Sequence, residues 1–147
     1  MKFYTGRYRP LHPEKYRGDT GAIIYRSSWE RVVMKWLDTH PSVLWWGSES
    51  FPIPYMSPVD GKIHKYFPDM IVRFRRKDQT EKTYILEIKP SKETTLRPAP
   101  QRSSRAFLRE ALTYSINTAK WEAAQKLCLR HGWQFVIITE QQLPGLV

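Results

Sequence analysis

The sequence predicts an α/β fold: one domain built on a central mixed β-sheet, flanked by an N-terminal helix and a long C-terminal helix. Three observations lead there. Trp29, Val32, Val33, Trp36 and Leu37 recur at helical spacing. Several short runs rich in β-branched, aliphatic and aromatic residues then follow between Val43 and Lys89, as strands do. From Arg105 a second helical pattern continues to His131, and one more apolar run closes the chain. The order helix, strands, helix, strand belongs to a mixed sheet with helices packed on it.

Each element has its own local reason. Residues 1–26 mix Pro10, Pro13, Gly6, Gly18 and Gly21 with basic and aromatic side chains, which predicts an irregular lead-in. It admits two uses, an arm that tracks phosphates or a segment wrapped on the domain with its tyrosines filling grooves. Ser27, three residues before Glu30, has capping-box spacing and starts a helix over Ser28–Asp38, which Pro41 ends. Strands are expected at Val43–Trp46, Ser50–Tyr55, Ile63 through Asp69 to Phe74, and Thr83–Lys89, with turns at Asp60-Gly61 and Asp78-Gln79. Residues 90–105 form a Pro-rich basic loop. The long helix spans Arg105–His131, with Gly132 as its C-cap. Its stripe of Phe107, Ala111, Tyr114, Thr118, Trp121 and Cys128 predicts a core face. The last strand is Trp133–Thr139. No repeat or second-domain boundary interrupts residues 1–147, so 27–140 is taken as the core of a single domain.

Composition narrows the partners. A hydrophobic share of 41% with 14% aromatics indicates a folded chain rather than a disordered one. Twenty-four Lys and Arg against fourteen Asp and Glu leave a charge of +10, which draws the protein to polyanions. Nucleic acid is the expected partner, because no long apolar run or basic amphipathic helix points to a membrane. The single cysteine, Cys128, excludes an intramolecular disulfide and a cysteine-built zinc site, and it fits a reducing compartment. No apolar signal-peptide segment follows the basic start. His12, His40, His64 and His131 are scattered without ligand-like spacing.

Chemistry concentrates in two strand-like segments, Tyr66-Phe67-Pro68-Asp69-Met70-Ile71-Val72 and Tyr84-Ile85-Leu86-Glu87-Ile88-Lys89-Pro90. A charge inside an apolar strand is costly unless paired or bound to a cation. Strand alternation puts Glu87 and Lys89 on one face and Ile88 on the other. Asp69 adds a second carboxylate from a neighbouring strand. Hard oxygen ligands select Mg²⁺, with Mn²⁺ as a substitute. Asp69, Glu87 and the Ile88 backbone carbonyl therefore make a ligand set, and Lys89 is placed to orient a water or stabilise developing charge at a phosphate. Glu30 has two uses open to it: bonding back to the backbone at Ser27 as a cap, or facing the sheet as a third carboxylate. Arg7, Arg9, Lys15 and Arg17 in the lead-in, and Lys92, Arg97, Arg102 and Arg105 in the later loop, are expected to contact DNA phosphates.

A Glu on the first helix, then Pro-Asp, Glu-x-Lys and a long helix resembles the PD-(D/E)xK nuclease superfamily. More narrowly, the chain is similar to the head-completion nucleases of large contractile-tailed phages. The matching segments are Arg9-Pro10 through Asp19, Ile24-Tyr25-Arg26-Ser27-Ser28-Trp29-Glu30, Ile53-Pro54-Tyr55, Ser57 through Asp69, Leu86 through Pro90, Asn117-x-x-Lys120-Trp121, and Gly132-Trp133 through Glu140. The resemblance implies a metal-dependent nuclease acting on double-stranded DNA, an endonuclease or an end-trimming one, with Glu30, Asp69, Glu87 and Lys89 as its catalytic residues. It also implies that Asn117 and Lys120 contribute helix-borne polar groups beside DNA. The implied setting is the host cytoplasm during assembly, after DNA packaging, with phage head or neck proteins as partners and retention in the virion head or neck. Two alternatives stand beside it: a Tn7-type transposase endonuclease-like protein, and a non-enzymatic neck component that keeps the nuclease fold.

Overall fold

Four strands form the central sheet in the order β3-β6-β7-β8, where β3 is Val43–Ser48, β6 Met70–Arg75, β7 Glu81–Ile88 and β8 Gln134–Ile138. The first two pairings are antiparallel and β7-β8 is parallel, so the sheet is mixed as the sequence predicts. A parallel neighbour requires a long crossover. Helix α2, Arg105–His131, lies in that connection, and Gly132 ends it in the left-handed region at φ 70°. The shorter α1, Ser28–Thr39, precedes the sheet. This is a computed structural model of the protein, and it describes residues 3–146. Met1 and Lys2 of the predicted lead-in, and Val147 of the predicted domain, lie outside the described residues.

Side-chain alternation divides the core between the two faces of the sheet. Met70, Val72, Leu86, Ile88 and Ile138 pack toward Val33, Met34 and Leu37 of α1. Ile71 and Ile85 pack on the opposite face with Trp121, Ala124, Leu127 and Cys128 of α2. Only the C-terminal half of α2 therefore meets the predicted core role. Leu108 and Leu112 are exposed, and Phe107, Ala111 and Tyr114 are half-buried. Among the described residues, no helix is long and apolar enough to cross a membrane.

Two predicted elements come out differently. The run from Ile63 to Phe74 is two strands, β5 (Ile63–Tyr66) and β6, separated at Phe67-Pro68-Asp69. Buried Pro68 has no N–H for a ladder, so pairing stops there. β5 pairs instead with β4 (Ile53–Met56) in a separate antiparallel ribbon. The lead-in is also more regular than its Pro and Gly content suggests, since β1 (Phe3–Arg7) pairs antiparallel with β2 (Ile24–Ser27).

The lead-in wraps on the domain, with fully buried Asp38 as its anchor. One carboxylate oxygen accepts from Tyr8 Oη and Leu11 N, each at 2.7 Å, and the other accepts from His12 N at 2.9 Å. Lys15 Nζ donates to the carbonyls of Asp38 and His40 at the end of α1. The rings of Tyr8 and Tyr16 meet buried Trp46 edge-on, at 6.0 and 4.7 Å between centroids. Arg17 N donates to the Trp46 carbonyl at 2.7 Å, and glycine is needed at position 47 because a Cβ there would lie 3.1 Å from the Arg17 carbonyl oxygen and 2.7 Å from Ser50 Oγ.

Asp38→Ala leaves buried donors without partners and frees the lead-in. A loss of about 2–4 kcal/mol in urea unfolding is expected, with faster proteolysis between residues 8 and 20. Unchanged stability and unchanged proteolysis would show that the wrap holds without Asp38.

Candidate active site

The antiparallel register of β6 against β7 pairs Met70 with Leu86. It thereby brings Asp69, at the start of β6, against the end of β7. There the Asp69 carboxylate accepts a hydrogen bond from the Ile88 backbone N–H at 2.7 Å. Ile88 itself is buried in the α1-side core, while Glu87 faces the other side with Ile85. Glu87 is 5% exposed, and its carboxylate accepts from Tyr66 Oη at 3.0 Å. Lys89 is half-buried one residue beyond the strand, and its backbone N–H continues the ladder to the Ile138 carbonyl at 2.9 Å.

Glu30 is 8% exposed in the first turn of α1 and performs the cap in a shifted form. Its N–H donates to Ser27 Oγ at 3.1 Å, as the spacing predicts. Its carboxylate accepts from the Arg26 N–H at 3.0 Å, one residue earlier than a capping box requires. The same carboxylate faces the start of β6. Capping and facing inward are therefore compatible.

The third neighbour is one that the sequence did not disclose. Each of Glu30, Glu49 and Asp69 presents a carboxylate oxygen that lies within 4.8 Å of the others. Glu49 follows β3 in the left-handed region at φ 49°, an uncommon conformation for a residue with a side chain. Its backbone N–H donates to the Asp69 carbonyl at 3.1 Å, and its carboxylate pairs with the Arg26 guanidinium. Ser48-Glu49-Ser50 carries no motif. Only the pairing of Ser48 with Met70, which sets Glu49 beside Asp69, reveals it. Glu87 is not a member of this triple.

The electrostatics follow from the crowding. Burial is the main cause that raises the pKa of Asp69, and Glu30 and Glu49 raise it further against the pull of the Ile88 N–H and Lys89. Burial likewise raises Glu87, with Asp69 adding to it and Lys89, Tyr66 and Lys120 opposing. Glu30 is raised by burial, and the Arg26 N–H and Ser27 moderate the shift. Arg26, Lys89 and Lys120 offset only part of this crowded negative charge. A hard divalent cation is the group that carboxylates converging in this way can hold.

The remaining predicted positions are spread around this centre. Arg7, Arg9, Arg17, Lys92, Arg102 and Arg105 are exposed. Arg17 lies over the Trp45 ring at 5.5 Å. Lys15 is occupied at the end of α1, and Arg97 is paired with Glu110 at 2.6 Å and stacked on Phe107 at 5.2 Å. Lys120 Nζ lies over the rings of Tyr66 and Tyr55, at 5.6 and 5.8 Å, so it approaches Glu87 through Tyr66. Asn117, one turn earlier on α2, is 8% exposed. The carboxylates and Lys89 thus converge, while the two basic clusters stay on the periphery.

Comparison with known proteins gives two matches. The TnsA-like endonuclease N-terminal family model matches residues 40–140. The head completion nuclease of Enterobacteria phage T4 is 41% identical over 147 residues, which covers 97% of this chain and 95% of that one.

The raised carboxylates have a consequence for stability. The folded-state pKa of Glu30, Asp69 and Glu87 lies above the unfolded value, so the folded protein holds more protons between the two. Their contribution is fully present below the ordinary carboxylate range and is lost as pH rises through the raised values. In EDTA, the melting temperature should fall as pH is raised from about 5 to about 8. Glu87→Gln should flatten that fall. The same slope in the variant would show that Glu87 does not contribute to it.

Proposed function

Because this chain belongs to the TnsA-like endonuclease family and, over nearly its whole length, to the family of the T4 head completion nuclease, it is a nuclease of phage head completion, and we propose that it hydrolyses duplex DNA with Mg²⁺. The observation that carries the chemistry is the convergence of Glu30, Glu49 and Asp69 beside Glu87 and Lys89. Asp69 and Glu87 would be the principal residues holding the cation, with the Ile88 carbonyl, Glu30 and Glu49 available to complete the oxygen set. Mn²⁺ should substitute, because these ligands are all hard oxygens. When bound, the cation would polarise a phosphoryl oxygen and make a water more acidic.

The chain's own residues supply the rest. The Ile88 N–H holds one Asp69 oxygen, which fixes the carboxylate against the end of β7. Tyr66 does the same for Glu87. The Lys89 ammonium orients the attacking water and stabilises the charge that develops on the phosphate. The Arg26 guanidinium pairs with the Glu49 carboxylate and so holds it beside Asp69. Exposed Arg7, Arg9, Arg17, Lys92, Arg102 and Arg105 hold the duplex, with Lys15 and Arg97 supporting their segments from within. Cleavage takes place in the host cytoplasm after the head is filled, at the head or neck where the tail joins, and the protein stays with the virion there. The transposase-subunit alternative fits less well. The lead-in and α1 lie inside the match to the phage relative, but before the TnsA-like match begins.

Asp69→Asn and Glu87→Gln should each lower Mg²⁺-dependent cleavage by about 10²-fold or more, as loss of a preorganised charge-stabilising group does. Circular dichroism should show the fold retained. Wild-type cleavage by either variant would remove it from the metal site, and wild-type protein inert with Mg²⁺ and Mn²⁺ alike would favour a non-enzymatic neck role.

Lys89→Ala should lower the single-turnover rate far more than DNA affinity, and Lys89→Arg should restore little because a planar fork replaces a compact ammonium. If affinity falls while the rate holds, Lys89 is a phosphate anchor. Neutralising Arg7, Arg9 and Arg17 together, or Lys92, Arg102 and Arg105 together, should reduce the slope of log affinity against log salt by roughly one for each phosphate no longer neutralised. Unchanged slopes in both would put the DNA track elsewhere on the surface.

A further inference from the structure

A cleft of about 540 Å³ opens between the loop after β7 and the N-terminal half of α2. Its position ties it to the carboxylate site. Lys92 on its rim is three residues beyond Lys89. Asn117 in its lining stands one helical turn before Lys120, whose ammonium lies over Tyr66, the partner of Glu87. The volume falls within the roughly 300–1,000 Å³ of pockets that enclose small organic ligands. A base with its sugar fits such a space. A duplex does not.

The lining has the chemistry of a nucleotide. Asn117 is 8% exposed, yet among the described residues no group hydrogen-bonds its carboxamide. The amide is not sealed from solvent and opens into the cleft. A carboxamide offers both a donor and an acceptor to a base edge. Tyr114, one turn earlier, is half-buried and has no aromatic neighbour within stacking reach among the described residues, which leaves a ring face for a base. Lys92 and Arg109 border the cleft without ion pairs among the described residues, while Arg97 is held by Glu110. An amide without a protein partner, a ring face and two cations lie together, with Glu93 the carboxylate beside Lys92.

We propose that this cleft receives one unstacked nucleotide of the DNA substrate, with its base against Tyr114 and Asn117 and its phosphates at Lys92 and Arg109. The site therefore acts on DNA where a nucleotide has left the helix, either at a frayed or overhanging end or at an internal extruded position. This rests on the nuclease reading above. Asn117 of the cleft and Lys120 over Tyr66 share α2, so this helix couples the preference for unpaired DNA to the side of the site that holds Glu87.

The test measures binding separately from cleavage. In EDTA, fluorescence anisotropy compares a blunt hairpin duplex with the same duplex bearing a single-nucleotide overhang, and with one carrying an internal one-nucleotide bulge. Wild-type protein should prefer an unpaired nucleotide by about tenfold, the effect of one good base contact. A stronger preference for the overhang identifies ends as the source, and a stronger one for the bulge identifies extrusion. Replacing that nucleotide by 2-aminopurine should give fluorescence quenching on binding. Asn117→Leu should bring the preference down toward one, with its melting curve confirming the fold. Equal wild-type affinity for all three duplexes, or the same preference in Asn117→Leu, would overturn the proposal. Because Mg²⁺-dependent cutting is assayed apart from these affinities, that failure would leave the nuclease reading standing.

Discussion

The hydrogen bond from the Ile88 backbone N–H to the Asp69 carboxylate is the contact on which the rest of the site depends. It links the two charged segments at the point where β7 leaves the sheet. Without it Asp69 would stand at the end of a strand, free to turn toward solvent. With it, Asp69, Glu87 and Lys89 hold fixed relative positions while Ile88 anchors their backbone in the core. The bond also opposes the desolvation of the Asp69 carboxylate, since a donor to the charged form favours that form. Positioning and charge are thus governed by one interaction.

Around that bond the protein gathers acidic groups although its overall charge is +10. Burial and mutual repulsion raise Asp69 and Glu87, and Arg26 is the cation that the fold sets against Glu49. This is the reverse of what stability alone would select. Glu30, Asp69 and Glu87 sit where burial disfavours deprotonation. The surrounding excess of Lys and Arg draws in polyanions.

The framework that holds the carboxylates is assembled from distant parts of the chain. Asp38 fastens the lead-in to the end of α1, and Tyr16 and Arg17 run beside Trp46 on β3. Those interactions set the position of β3, and hence of Glu49 beyond its end. On the other face α2 brings Lys120 over Tyr66 and Tyr55. A cation above two rings, one of which donates to Glu87, transmits the placement of a helix to that buried carboxylate through Tyr66.

By itself the sequence determined the elements whose causes are local. The Ser27 cap, the Gly132 end of α2, the apolar strand runs and the Glu87-Ile88-Lys89 alternation all depend on residues within a few positions of one another. The fold class was legible for the same reason, because the order of elements alone restricts how a mixed sheet can form. What only the tertiary structure decided depends on register and on distant partners. Pro68 divided a predicted strand because its missing N–H matters only once a neighbouring strand is specified. Glu49 joined Glu30 and Asp69 because β3 pairs with β6 in one register, a fact that no residue near Glu49 encodes. The lead-in resolved into a wrap because Asp38, some thirty residues from Tyr8, accepts from the Tyr8 hydroxyl and from the Leu11 and His12 N–H groups. Half of α2 lost its predicted core role because amphipathic spacing marks a face, while only the extent of the sheet beneath fixes how much of that face is covered.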